Sequence, residues 1–341
     1  MESTAGQPII RVHLVTYRRP LLLKRALRSI LAQTYKNFTV TIINDDPDDI
    51  EVLKTIAQFN DLRVSLYTPV FNRGATANFN IAFGDRSGAF ISMLEDDNWW
   101  EPQFLETMYQ TFVKYPEVRA VICNELIWRE MSDGSWVNTG QTIWGHEGHC
   151  VYDYSIDQIA GSAKFCNSST VLKTDKSLCF ETPNTIPVDV TEHFRERMLD
   201  KPVVLVGAPL VNYAETIKTA RSTKGSKWGT FQCLLIGSLF MAFNDKRERI
   251  MLAKGLWERC PSNTSPRAMT LIMTGLYIRE ARPLLTLAPA IGRLRFLFWM
   301  SRHPVQLMAM SQMRRKHRKE LEFLVQAPLT QRLVDKTRKF A

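Results

Sequence analysis

Three carboxylates stand side by side at Glu95-Asp96-Asp97, just after the apolar run Gly88 to Leu94 and just before Asn98-Trp99-Trp100-Glu101-Pro102. Adjacent negative charges repel unless donors or a cation sit among them. Hard oxygen ligands at the end of a strand suit Mg2+ or Mn2+, which bridges phosphate oxygens and neutralises a departing diphosphate. The same residues also suit an acidic turn that opens a helix near Pro102, because negative side chains favour a helix N-terminus. A second acidic group, Asn44-Asp45-Asp46, ends the run Phe38 to Ile43. A carboxylate there can accept hydrogen bonds from a base or ribose, or simply form a turn with Pro47. Asn72-Arg73-Gly74 adds a glycine that tolerates positive φ and an arginine able to meet a phosphate.

These groups need elements to position them. Ile9 to Val15, Phe38 to Ile43, Arg63 to Tyr67 and Gly88 to Leu94 are short, β-branched runs that predict buried strands. Between them, helices are expected from Pro20, with Leu23, Leu27, Ile30 and Leu31 on one face, over Asp48 to Phe59, and over Ala75 to Phe83. Repeated β–α alternation argues for a mostly parallel sheet flanked by helices. Ligands on such sheets bind beyond the carboxyl ends of the strands, which is where the polar clusters fall. Residues 120–215 are more irregular, with Trp128, Trp136 and Trp144 among turn residues, and read as a platform or loops covering the sheet. Beyond about residue 225 the pattern becomes helical and basic. The expected division is an α/β domain over 1–225, in two parts near 9–115 and 116–225, and a helical C-terminal region over 226–341.

Bulk properties exclude several classes. The 341 residues are 45% hydrophobic, ordinary for a folded chain with a sizeable core. The six cysteines form no CxxC pair, which argues against a zinc site or a disulfide framework and for a reducing compartment. Met1 to Pro8 lacks the basic-then-apolar pattern of a signal peptide, and Phe231 to Phe243 is too short to span a bilayer. A cytoplasmic protein is expected, with contact to the inner membrane face through its basic end. The net charge of +10 concentrates in the C-terminal quarter, as in Met313 to Lys319. Such a surface is a solvated face or a match for anionic lipid; no recognised nucleic-acid module accompanies it, so nucleic acid is not an expected partner. Arg293 to Arg302, apolar and aromatic between arginines, suits a membrane interface, packing on the catalytic domain, or a dimer contact. His146 and His149 lack a second ligand pair and are read as loop residues.

Taken together, the clusters resemble the family 2 glycosyltransferases of GT-A fold. Val12 to Pro20 resembles that family's opening strand and its TYNRP turn, and Leu27 to Tyr35 its SVLAQTY helix end. Asn44-Asp45 resembles the nucleotide-binding turn, Asn72 to Asn80 the NRGxxxARN segment, and Leu94 to Pro102 a variant of the DXD metal motif. The resemblance implies an inverting transfer of a hexose-type unit from a nucleotide diphospho-sugar to a hydroxyl of a glycan or lipid-linked saccharide, with Mn2+ or Mg2+.

Carried over position by position, it assigns Thr16, Tyr17, Arg18, Asn72, Arg73 and Asn80 to the nucleotide-sugar pocket, with Asp45 toward the base and Asp96 at the ribose. Asp97 is implied as the metal ligand. Glu95 occupies the place of the motif's first aspartate, as a direct ligand or as support for one. Asp189 in Pro187 to Arg195 is implied as the catalytic base, with Glu192 as the fallback; a helix cap is the plainer role for Asp189. Asp46-Pro47 departs from the usual Gly-Ser, and Asn212 to Thr216 lacks the histidine many members carry there. Lys218, Arg221 and Lys224 are candidates to bind the diphosphate in its place, on a closing lid or an ordinary surface loop. Trp99 and Trp100 suit stacking on sugar faces, although at least one is expected in the core. The rival readings are a nucleotidyltransferase, disfavoured because Thr16 to Pro20 contains no glycine, and a catalytically silent sugar-binding scaffold. An oligomer is compatible with all three.

Overall fold

The β-branched runs pair edge to edge. In the computed structural model, which describes residues 6–145, 148–159, 163–175, 179–217, 226–263, 265–304, 308 and 311–340, β1 (Ile10–Thr16) lies parallel to both β2 (Phe38–Asn44) and β4 (Phe90–Glu95). β3 (Val64–Tyr67) continues the parallel set beside β2. Beyond β4 the sheet changes character. β9 (Thr170–Lys173) runs antiparallel between β4 and β6 (Ala120–Glu130), and β6 pairs in parallel with β10 (Val203–Glu215). The short β5 (Trp99–Trp100), β7 (Trp136–Thr142) and β8 (Cys150–Tyr152) pair antiparallel at the margin. Among the described residues the main path is β3-β2-β1-β4-β9-β6-β10-β5.

Alternation within β1 separates two faces. Ile10, Val12 and Leu14 enter a core shared with Leu23, Ala26, Leu27 and Ile30 of α1 (Pro20–Leu31), Val52 of α2 (Ile50–Ala57) and Phe104, Leu105, Met108 and Phe112 of α4 (Phe104–Lys114). Each of these side chains larger than alanine contributes roughly 1.5–3 kcal/mol through burial. His13 points to the opposite face, where its Nε2 lies 3.0 Å from Asp85 at the end of α3 (Ala75–Gly84). Helices therefore flank the sheet on both sides.

The region 120–215, expected to be irregular, holds the two longest strands. Their legibility suffers from register shifts at Val206/Pro209 and Pro209/Val211, and from buried polar residues such as Asn124 and Glu125 that break the apolar runs. Trp128 and Trp136 consequently belong to strands, not loops.

The chain divides into two compact units: residues 1–153, 164–188 and 201–220, which hold the sheet, and residues 154–163, 189–200 and 221–341. The second unit is helical. It includes α5 (Ile156–Ile159), most of α6 (Val188–Arg197), α7 (Ser226–Ala242), α8 (Lys246–Glu258), α9 (Pro266–Tyr277), α10 (Arg282–Thr286), α11 (Ala290–Arg302), α12 (Met313–Lys316), α13 (Arg318–Gln326) and α14 (Pro328–Phe340). A Cβ at Gly237 would sit 1.9 Å from Ile278 Cδ1, so α7 approaches that residue only because it has glycine there. Arg197 is fully buried and donates to Leu235 O at 2.8 Å and Thr330 Oγ1 at 3.0 Å, tying α6 to α7 and α14. Buried His193 stands edge-on to Trp228 and accepts from Ala163 N at 3.2 Å through Nε2; burial, then the Arg197 charge, lowers its pKa to about 4. Among the described residues no helix is long and apolar enough to cross a membrane.

Candidate active site

Parallel pairing brings three strand ends to one rim. Thr16 is in register with Asn44, and Val15 with Glu95. The chain leaves each strand there through a polar turn. After β1 the turn is strained: Arg18 has φ of +55°, a left-handed conformation unusual for a side chain of its size. That turn aims Thr16, Arg18 and Arg19 at the acidic segments.

Thr16 Oγ1 donates to Asp96 Oδ2 at 2.8 Å, and Tyr17 N lies 3.4 Å from the same oxygen. Arg19 Nη1 spans Asp96 Oδ1 at 3.2 Å and Asp97 Oδ2 at 3.0 Å. Burial, then the neighbouring charge of Asp97, pushes Asp96 up to about 6; burial likewise raises Asp97. Two desolvated, adjacent carboxylates are thus held by one guanidinium and one hydroxyl. Glu95 turns elsewhere: its Oε2 accepts from Ser168 Oγ at 2.8 Å, and Ser168 Oγ also accepts from Asn98 Nδ2 at 2.9 Å.

A second tether holds the turn from behind. Arg25 Nη2 donates to the Asp97 carbonyl at 2.6 Å, and its guanidinium carbon lies 3.8 Å from the Trp99 ring centre and 4.2 Å from that of Trp136. Cation–π contacts of this kind contribute roughly 0.5–2 kcal/mol each. Trp99 also packs against Trp128, whose Nε1 donates to Asn212 Oδ1 at 2.6 Å. Trp100 goes into the core, stacked on Phe104 at 4.3 Å with its Nε1 donating to Ser168 O at 2.8 Å. One tryptophan of the pair is therefore core and the other part of an aromatic cluster at the rim.

Asp45 organises the third segment. Its two carboxylate oxygens accept from Arg73 N at 2.8 Å and Gly74 N at 3.0 Å, and Gly74 N also meets Asn72 Oδ1 at 3.1 Å. Gly74 has φ of +82°, which glycine adopts without strain, and it caps α3. Arg18 Nε pairs with Asp46 Oδ2, and the Arg18 hydrogen bond holds that carboxyl below its usual range. Asp46 thus replaces the small residues of the usual turn with an ion pair. Tyr17 stays 44% exposed beside Arg18.

Asn80 lies elsewhere on α3 and pins the segment that leads to α6: its Nδ2 donates to Thr182 O at 2.7 Å and Asn184 Oδ1 at 2.8 Å. Thr76 Oγ1 donates to Ile186 O at 2.7 Å in the same way. Asp189 occupies the first turn of α6, as its motif position implies, and Glu192 follows one turn later; both are half-buried. His146, Lys218, Arg221 and Lys224 lie outside the described residues. Among those described, no three His, Cys, Asp or Glu side chains gather as a metal cage.

Sequence reasoning overlooked Arg19 and Arg25 as site residues. The signal was charge balance: three adjacent carboxylates on an apolar strand require cations, and the segment after β1 is where arginines precede and enter the first helix.

Residues 12–156 match the model "Glycosyl transferase family 2". Glycosyltransferase GlyA of Streptococcus pneumoniae is 32% identical over 108 residues, covering 31% of this chain and 15% of that protein. The Escherichia coli UDP-Glc:alpha-D-GlcNAc-diphosphoundecaprenol beta-1,3-glucosyltransferase WfgD is 28% identical over 106 residues, 31% of this chain and 42% of that one. The chain thus spans less than half the length of these curated relatives. S. aureus TarS 1-349, solved in complex with UDP-GlcNAc, superposes with a TM-score of 0.53 at 12% identity, covering 97% of this chain and 91% of that one. The shared architecture is the GT-A arrangement of a largely parallel sheet flanked by helices, with further helices at the C-terminus.

Proposed function

Residues 12–156 belonging to glycosyl transferase family 2, we propose that the protein transfers a sugar from a nucleotide diphospho-sugar to a hydroxyl of a saccharide or lipid-linked saccharide, with inversion at the sugar. The observation that carries this reading is the Asp96–Asp97 pair at the carboxyl rim of the sheet, bridged by Arg19 and braced by Thr16. The name of the relative WfgD, with its UDP-linked donor and diphosphoundecaprenol acceptor, supports the same substrate classes here.

The residues fit a divalent cation. Both carboxylates are hard oxygen donors destabilised by burial, so a dication would relieve their repulsion. Magnesium-like ions are commonly held by one or two carboxylates plus substrate phosphates, which does not require a three-ligand protein cage. Asp97 would hold the ion, with Asp96 beside it and Glu95 keeping the turn in place through Ser168. When bound, the cation supplies charge neutralisation for the departing nucleoside diphosphate.

The protein's own groups do the rest. The exposed Tyr17 ring offers a stacking surface for the base, and Arg18 is held at the same rim by Asp46. Asp45 presents the Asn72-Arg73-Gly74 loop, whose arginine carries positive charge toward the donor; its remaining lone pairs are available to the base. Asp96 accepts from the ribose. Asp189 takes the acceptor hydroxyl proton during in-line attack, the oxygen bonding to the anomeric carbon as the bond to the diphosphate breaks. Glu192, on the same helix face, is the fallback base.

The test is turnover with UDP-, GDP-, dTDP- and CDP-sugars, with and without Mn2+, reading the phosphate product. Released nucleoside diphosphate that vanishes in Asp97→Asn supports the proposal. A parallel incubation with nucleoside triphosphate and sugar 1-phosphate that releases pyrophosphate identifies a nucleotidyltransferase, and no turnover in either assay indicates a silent scaffold. Asp189→Ala should slow transfer by about 10^2–10^4-fold, the usual contribution of general base catalysis, while sparing donor binding; full activity in that variant moves the base to Glu192.

A further inference from the structure

The helical unit carries a surface that transfer does not use. α11 buries one face: Gly292 and Phe296 turn inward, and a Cβ at Gly292 would already stand 3.0 Å from Asn263 O. The other face is open and apolar. Ile291 is 57% exposed, Leu294 67%, Leu297 54% and Phe298 58%. At 3.6 residues per turn, Ile291, Leu294 and Phe298 form one stripe along a helix of about 20 Å. Arg295 and Arg302 follow along one edge, both exposed, with the Arg302 guanidinium carbon 4.3 Å from the Phe298 ring centre. Arg293 has a different task, closing the preceding turn by donating to Ala288 O at 2.8 Å and Thr286 O at 2.6 Å.

Large apolar side chains in an open row, edged by arginine, need a partner with an apolar interior and a negative surface. Charge decides between the candidates. Residues 226–341 contain 21 Lys and Arg against 7 Asp and Glu, a net of +14 within a chain of +10. A second copy of this chain would set like charge against like, which disfavours self-association through this face. An anionic bilayer offers the complement: acyl chains for Ile291, Leu294 and Phe298, phosphates for Arg295 and Arg302. We infer that α11 is a peripheral membrane-docking helix that lies in the interface of an anionic bilayer without crossing it.

The inference does not depend on the transferase reading, because its test measures binding alone. The full chain is co-sedimented with vesicles of phosphatidylcholine, with and without phosphatidylglycerol. The expected result is pelleting with the anionic vesicles only, reversed at about 0.5 M salt, where charges are screened within a few ångströms. The variant Ile291→Ser/Leu294→Ser/Phe298→Ser should weaken that binding at least tenfold with an unchanged melting temperature, since the three side chains are exposed. Arg295→Gln/Arg302→Gln should weaken it at moderate salt and recover it at low salt. Wild-type protein that stays in the supernatant, or a triple serine variant that binds as wild type does, overturns the proposal. So does sedimentation velocity showing a wild-type dimer that the triple variant dissolves, which would assign the face to a second copy.

Discussion

The Thr16 hydroxyl and the Asp96 carboxylate meet at 2.8 Å across 80 residues of chain, joining the ends of two neighbouring parallel strands. Asp96 is almost fully buried, so each donor to it counts. Thr16→Val keeps the shape and removes the donor. Stability in urea should fall by about 1–3 kcal/mol, the cost of taking one hydrogen bond from a buried charged group that keeps Arg19 and Tyr17 N as partners. The KM for the nucleotide sugar should rise as the rim loosens.

Arg19 is the counter-charge to both Asp96 and Asp97. In Arg19→Ala the two carboxylates lose it and the melting temperature should drop. Mn2+ should then raise the melting temperature of Arg19→Ala more than that of wild type, because the ion replaces the missing charge as well as binding. Equal Mn2+ shifts in the two proteins, read by differential scanning fluorimetry, would show that no cation reaches the pair.

Gly74 presents its N–H to Asp45 from a positive φ, with open space where a Cβ would sit. The penalty for Gly74→Ala is therefore conformational, not steric: φ of +82° with ψ of 154° is a combination essentially confined to glycine, and the cost should be about 1–3 kcal/mol. Because the N–H of Gly74 and that of Arg73 share the Asp45 carboxylate, donor affinity measured by calorimetry should weaken with it.

His193 supplies a pH dependence. Its folded pKa of about 4 lies below the ordinary 6.5, so the folded state favours the neutral ring. The associated stability is complete above pH 6.5 and is lost as the pH falls through 6.5 toward 4. Between pH 7 and pH 5 the loss from this group should be about 2 kcal/mol. His193→Gln should remove that slope from a comparison of urea transitions at the two pH values.

Much of the region 9–115 was legible from the residues alone. β1, β2, β3 and β4 each fall within two residues of the run that announced them, since short β-branched segments between turn residues leave few alternatives. The acidic turns sit at the rim because strands of a parallel sheet end together. The region 116–225 was not legible, because β6 and β10 mix apolar and polar residues and carry bulges, so their periodicity fails although their pairing is extensive. The site partners Arg19 and Arg25 were hidden for a related reason. Their roles depend on which carboxylates the fold sets opposite them, more than 70 residues away, and local pattern contains no such distance.

The grip of Arg25 on the carboxylate turn goes to the main-chain carbonyl of residue 97 and not to its side chain. The Arg25 tether is accordingly independent of the side chain at residue 97, whereas the Arg19 contact to Asp97 Oδ2 is not. A protein with asparagine at that position should keep this main-chain tether while losing one negative charge, so that any loss of turnover there reports on the carboxylate and not on the course of the loop.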